Sequence, residues 1–191
     1  MTKLTEKFER AFLYASAVHG GQTRKGTTVP YVSHLIAVTA TVLEYGGTED
    51  MAIAALLHDA VEDQGGMPRL EDIRTKFGDA VADIVFACSD SSDIGRPKAE
   101  WESRKRKYIQ HLDELSQDAL LVSLSDKVHN ARSILRDSRR ANIGEAVWDR
   151  FKRPKELTVW YYAELANAFQ RLLPGQLADE LGEIVLAMDQ A

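Results

Sequence analysis

The stretch from Ala54 to Asp63, AALLHDAVED, sets four ionisable side chains inside an apolar helical run, as two adjacent pairs: His58-Asp59 and Glu62-Asp63. Burying such groups without partners is costly. At about 100° per residue the four share one face of a helix, while Ile53, Leu56, Leu57, Ala60 and Val61 take the opposite side. Ala52 and Ala55, small and uncharged, lie on the same arc as the polar four, which favours a partly enclosed face with room beside the carboxylates. A solvated helix edge gives the same periodicity, so other segments must decide between the two readings.

Two do. In LLVSLSDKVHNARSIL, Asp126 shares a stripe with Ser123, Asn130 and Ser133, while Leu120, Leu124, Val128, Ala131 and Leu135 form another face. In PYVSHLIAV, His34 introduces an otherwise apolar helix. Alone, such a histidine is ordinarily a hydrogen-bonded core residue. Taken together, His34, His58, Asp59 and Asp126 make a two-His, two-Asp ligand set. Imidazole and carboxylate donors suit Mn, Fe, Co, Ni or Zn, and the mix is too nitrogen-rich for a typical Ca or Mg site. Only a fold that brings the segments together gives this set a geometry.

The elements that must do so are helical. EKFERAFLYASAVHG has apolar residues at helical spacing and stops at Gly20-Gly21; a short basic loop, GGQTRKGTTVP, follows. Pro30 suits the start of a second helix, YVSHLIAVTATVLEYGG, although its β-branched residues leave a strand as the alternative. EDMAIAALLHDAVED reads as one third helix closed by QGGMP, and a short helix follows around Leu70 to Phe77. GDAVADIVFACSD, WESRKRKYIQHLDEL, DALLVSLSDKVHNARSIL, KELTVWYYAELANAFQRLL and LADELGEIVLAM complete an all-α chain. The polar stretch SSDIGRPKAE is the expected mobile loop.

A length of 191 residues suits one domain with a real core, and 45% hydrophobic with 28% charged residues is an ordinary globular composition. The net charge of -5 gives no reason to expect nucleic acid or an acidic membrane as partner. The one cysteine, Cys88, cannot form an intramolecular disulfide and suits a reducing compartment. The charged N-terminus lacks the apolar core of a signal peptide, and no apolar run approaches a membrane span. The expected location is the cytoplasm.

The ordered string GQTRKGTTVPYVSHLIAV, AALLHDAVED, FGDAVADIV, RKRKYI and LVSLSDKVHNARSI resembles the HD-domain metal-dependent phosphohydrolases. It is most similar to the hydrolase domain of the Rel/SpoT stringent-response enzymes and to the free-standing small alarmone hydrolases. The likeness runs from about residue 6 to 172, and the whole chain, 1–191, reads as a single HD-type helical bundle with a C-terminal helix over 175–189. The resemblance implies one divalent ion, most often Mn²⁺, held by His34, His58, Asp59 and Asp126. It makes Glu62 and Asp63 the catalytic pair, without fixing which is the base. The implied reaction removes the 3′-diphosphate of guanosine tetra- or pentaphosphate as pyrophosphate, leaving GDP or GTP.

For the substrate, the resemblance implies Arg24, stacking on the base, and Lys25. It also implies Asn130 facing the nucleoside, Lys127 as the motif lysine, Arg104 and Lys105 as candidates for the diphosphate, and Tyr161 or Tyr162, with Tyr161 preferred, near the ribose. Tyr31 either packs behind His34 or lines the pocket, and Arg106 reads as a solvated helix position. Gly26, His129 and Ala131 depart from the commoner family string. They leave open an adenine alarmone, a nucleoside monophosphate or NADPH as substrate. A sensor that binds nucleotide without turnover is a further alternative, which an intact Glu62-Asp63 pair disfavours. The oligomeric state is open, with a homodimer as one option.

Overall fold

In the computed structural model the described residues are 2–89 and 100–190, and the polar stretch expected to be a mobile loop lies almost wholly outside them. Ten α-helices and two short 3-10 segments account for the regular structure of the described residues. The chain divides into two compact units, Met1–Ser125 and Asp126–Ala191.

The first unit is organised around helix α3, Glu49–Leu57. Every residue from Met51 to Leu57 is buried, and a helix that is apolar all round must be enclosed by others. Its neighbours are α1 (Glu6–Val18), α2 (Val32–Glu44) and α6 (Asp79–Cys88). Thr48 caps α3 by accepting the Met51 N–H at 3.3 Å, and Thr5 caps α1 from the Lys7 N–H at 3.2 Å. The segment from Val32 is therefore helix rather than strand: its apolar positions Leu35, Val38 and Val42, all fully buried, recur at helical spacing. Buried packing overrides the weak helix propensity of its β-branched residues.

The third helix is not continuous through Asp63. The α-helical pattern lapses at His58 and Asp59 and resumes as α4, Ala60–Asp63. At this point the His58 Nδ1–H donates to the Ala55 carbonyl at 2.8 Å, the acceptor that a continuing helix offers to the Asp59 N–H. Helix α5, Gly66–Phe77, starts earlier than the sequence pattern suggests, with Pro68 tolerated in its first turn. Helix α7, Trp101–His111, leads through a 3-10 turn, Leu112–Glu114, into α8, Gln117–Ser138. Ala119 and Val122 of α8 join Leu35, Val38, Ala54 and Leu57 in the core of this unit.

The second unit contains the later part of α8, a 3-10 segment Gly144–Arg150, α9 (Lys155–Leu172) and α10 (Gln176–Asp189), with α9 packed on α10. Arg132 forks onto Glu180 at 2.5 and 2.6 Å. Buried Asp137 accepts from Arg150 at 2.6 Å and anchors the 3-10 segment to α8. Among the described residues no helix is long and apolar enough to cross a membrane.

Ile53, fully buried at the centre of α3, gives a direct test of this core. Ile53→Ala is expected to destabilise the protein by about 2–5 kcal/mol. Urea unfolding followed by circular dichroism measures it, and a loss below about 1 kcal/mol would show that α3 is not sealed.

Candidate functional site

Sealing α3 fixes the place of the two residues that follow it. His58 is 3% exposed, and with Nδ1–H committed to the Ala55 carbonyl, Nε2 of the neutral ring carries a lone pair. That nitrogen stands 2.9 Å from Asp59 Oδ2. His34, fully buried on α2, places its Nε2 3.7 Å from the same oxygen. The two imidazoles pack edge to face, with centroids 5.2 Å apart. Asp59 Oδ2 also accepts the Tyr31 hydroxyl at 2.5 Å.

A nitrogen lone pair and a carboxylate oxygen facing each other at 2.9 Å repel unless positive charge, a proton or a cation, offsets them. The convergence of two imidazole nitrogens on one carboxylate is the donor chemistry of a divalent transition ion, so these residues fit a metal. His34, His58 and Asp126 are each buried, and each offers one ligand atom that could hold such an ion.

The first loop is built tightly against this group. Thr23 and Pro30 form an isolated antiparallel bridge, Arg24 N–H donates to the Val29 carbonyl at 2.8 Å, and Tyr31 N–H donates to the Gln22 carbonyl at 2.9 Å. Gly26 closes the turn at φ 69°, a backbone region that favours glycine. The result presents Arg24 with its guanidinium 5.7 Å from the Tyr31 ring centre. Tyr31 packs edge-on to His34 with centroids 5.5 Å apart. Lys25 is exposed beside it.

Glu62 and Asp63 both lie on the exposed side of α4. Asp63 Oδ2 accepts from the Gln22 side-chain amide at 2.7 Å. Desolvation raises the Asp63 pKa above the usual carboxylate range; the Gln22 bond opposes this, and repulsion from Asp59 and Glu62 adds to it. Arg104 and Lys105 are half-buried on α7, whereas Arg106 is exposed and bonded to Glu102 at 2.7 Å, the solvated role expected of it. In the second unit, Asp126 accepts from Lys127 at 2.6 Å and from Asn130 at 2.5 Å. Lys127 is thus ion-paired. Tyr161 is buried on α9 against Tyr162. Sequence reasoning passed over His19 and Gln22, although a His-x-x-Gln step just ahead of the Arg24-Lys25 loop was there to be read.

A helical fold among the described residues, with histidine and aspartate donors gathered at the end of a sealed helix and able to hold a metal, defines a helical protein of the HD type. The HD domain model matches residues 11–157, and the chain belongs to that family. It is 38% identical over 126 residues to a protein of Xenopus tropicalis named guanosine-3′,5′-bis(diphosphate) 3′-pyrophosphohydrolase MESH1, covering 64% of this chain and 66% of that one. It is 33% identical over 142 residues, 73% of its length, to an Aquifex aeolicus guanosine-3′,5′-bis(diphosphate) 3′-pyrophosphohydrolase. The match spans only 20% of the Aquifex protein and just under two thirds of the frog one. A solved structure described as a metazoan ortholog of SpoT that hydrolyzes ppGpp superposes with a TM-score of 0.77 at 27% identity, covering 96% of both chains.

The raised pKa of Asp63 has a consequence for stability. The folded protein holds this proton more tightly than the unfolded chain does, so stability falls as pH rises from the ordinary carboxyl value of 3.8 through the raised one. Asp63→Asn is therefore expected to raise the melting temperature of metal-free protein at pH 7, with the gain vanishing as pH approaches 3.8. Calorimetry in chelator reads this. A lower melting temperature at pH 7 would refute the assignment.

Proposed function

We propose that this protein is a metal-dependent hydrolase that removes the 3′-diphosphate of guanosine tetra- or pentaphosphate, giving GDP or GTP and pyrophosphate. The observation that carries the reading is the convergence of His34 and His58 on Asp59, one turn from Glu62 and Asp63, in a chain similar to proteins named for this reaction. Residues 1–191 are read as one HD domain, supported by a family match that runs across the boundary between the two compact units.

His34, His58, Asp59 and Asp126 would hold the ion, and Mn²⁺ is the proposed metal. The place of Asp126 is supported by helical register. It follows Ala119 and Val122 on one stripe of α8, and those two positions belong to the core shared with α2 and α3. When bound, a divalent ion polarises a phosphate oxygen and lowers the pKa of water. Glu62 and Asp63, exposed on α4, orient the attacking water and carry its proton. Arg24, held over Tyr31 by the closed loop, offers a guanidinium plane to the base, and Lys25 offers a point charge. Asn130, Lys127, Arg104, Lys105 and Tyr161 complete the proposed substrate contacts. Lys127 and Asn130 also hold the Asp126 carboxylate from two sides. The one cysteine of the sequence, Cys88, half-buried, supports a reducing, cytoplasmic setting.

Purified protein with Mn²⁺ is expected to release pyrophosphate from guanosine tetraphosphate with a higher kcat/KM than from an adenine alarmone, a nucleoside monophosphate or NADPH. A different ranking would reassign the substrate, and tight binding without turnover would make the protein a sensor. Asp59→Ala should abolish both metal binding and activity, whereas Glu62→Gln should keep the metal and lower kcat by about 100-fold or more. Equal metal loss in both variants would overturn this division of roles. Tyr31→Phe, which removes the hydroxyl from Asp59, should weaken metal affinity by about 10- to 100-fold. Metal titration followed by calorimetry measures it.

A further inference from the structure

The Gln22 side chain lies where three others meet. Its side-chain carbonyl oxygen faces His19 Nδ1 at 2.7 Å and the Gln64 side-chain amide at 3.1 Å, and its own amide nitrogen stands 2.7 Å from Asp63 Oδ2. A carboxylate accepts and cannot donate, so the Gln22 NH₂ must face Asp63 and its oxygen must face the other two. His19 reinforces this orientation. The ring is 2% exposed, and among the described residues its Nε2 has no hydrogen-bond partner. A buried lone pair is tolerated there better than a buried N–H, which puts the hydrogen on Nδ1 and makes His19 the donor to Gln22.

His19 is in turn fixed by stacking on Tyr31, with centroids 5.2 Å apart and planes 21° from parallel. The Gln22 backbone is held at both ends, its N–H by the His19 carbonyl at 2.9 Å and its carbonyl by the Tyr31 N–H at 2.9 Å. Asp63 Oδ2 is thus occupied by a donor whose direction is set elsewhere, while Oδ1 makes no hydrogen bond among the described residues.

We propose that His19 and Gln22 are positioning residues that lock Asp63 Oδ2 and leave Oδ1 as the oxygen that exchanges a proton during the reaction. This rests on the hydrolase reading above and deepens it. Asp63 becomes the member of the acid-base pair with a prescribed orientation, set from the first loop 41 residues away. The same Tyr31 that bonds Asp59 carries the stack that orients His19, so one ring ties the proposed ion ligand to the proposed proton carrier.

The test begins with wild-type protein, Mn²⁺ and guanosine tetraphosphate. Absence of turnover there counts against the proposed reaction alone, because the relay is also read without substrate. In ¹H–¹⁵N spectra the Gln22 side-chain amide signals are expected to move on Asp63→Asn and on His19→Phe, and signals indifferent to both overturn the relay. In turnover, Gln22→Leu is expected to lower kcat by about 10- to 100-fold with KM and bound Mn²⁺ unchanged. His19→Phe keeps a ring on Tyr31 and acts through Gln22, so the double variant should be no slower than Gln22→Leu alone. An unchanged kcat in Gln22→Leu, or metal loss in proportion to the loss of kcat, overturns the proposal. If that variant does not fold, Gln22→Glu keeps the length and replaces the donor with an acceptor. It should show the same loss of kcat, and an unchanged kcat there is equally fatal.

Discussion

The His58 ring is divided between two partners, and most of the site follows from that division. Nδ1 is committed to the Ala55 carbonyl, one turn back in a helix that is buried on every side, so the ring cannot swing without unpacking α3. Nε2 is thereby aimed at Asp59, the next residue in the chain. His58 and Asp59 both keep right-handed helical backbone angles, φ -58° with ψ -33° and φ -94° with ψ -5°, so it is the fixed ring of His58 that brings its Nε2 to the neighbouring carboxylate. His34 then needs only to arrive from α2, which packs against α3 along Leu35, Val38 and Val42. A fold whose central helix ends in His-Asp therefore supplies a rigid donor group at the cost of holding two electron-rich atoms close together. Positive charge offsets that cost.

The first loop supplies a second kind of constraint. Its bridge between Thr23 and Pro30, the left-handed Gly26 and the bonds from Arg24 and Tyr31 across the turn make it a closed element rather than a floppy basic linker. For the base-stacking role proposed for Arg24, a side chain rich in rotamers, closure matters because a guanidinium already resting on the Tyr31 ring loses less freedom on meeting a flat partner. It matters equally for Gln22, whose amide could not hold a carboxylate in one direction if its own backbone were free.

Much of this was legible in the residue pattern. Helical periodicity located α1, α3, α6, α8, α9 and α10, and the two-His, two-Asp inventory pointed to transition-metal chemistry before any geometry was known. The reading of one helix through Asp63 fails for a local reason: periodicity counts apolar positions and does not register a side chain taking a backbone acceptor, as His58 does at Ala55. The choice between helix and strand after Pro30 was likewise undecidable from β-branched content, because burial against α3 settles it. Gln22 went unassigned because its partner Asp63 lies 41 residues away, and the bond from Tyr31 to Asp59, across 28 residues, was equally out of reach. Spacings of that size have no meaning until the chain is folded.

The burial pattern matches the division of labour in the proposed function. His34 and His58 are almost completely enclosed, whereas Glu62 and Asp63, four and five residues beyond His58, are exposed. A group that grips a cation gains from exclusion of water, because low dielectric strengthens the attraction and keeps competing ligands out. A group that passes protons needs the reverse, a route to solvent by which it resets after each turnover. The short α4 achieves both within one and a half turns by leaving the sealed end of α3 and emerging at the surface. Desolvation still holds Asp63 above the ordinary carboxylate range, which brings its proton affinity closer to that of a useful base near neutral pH. The setting of Asp63, at the surface yet partly desolvated and held by Gln22 at one oxygen, thus suits the proton-carrying role proposed for it.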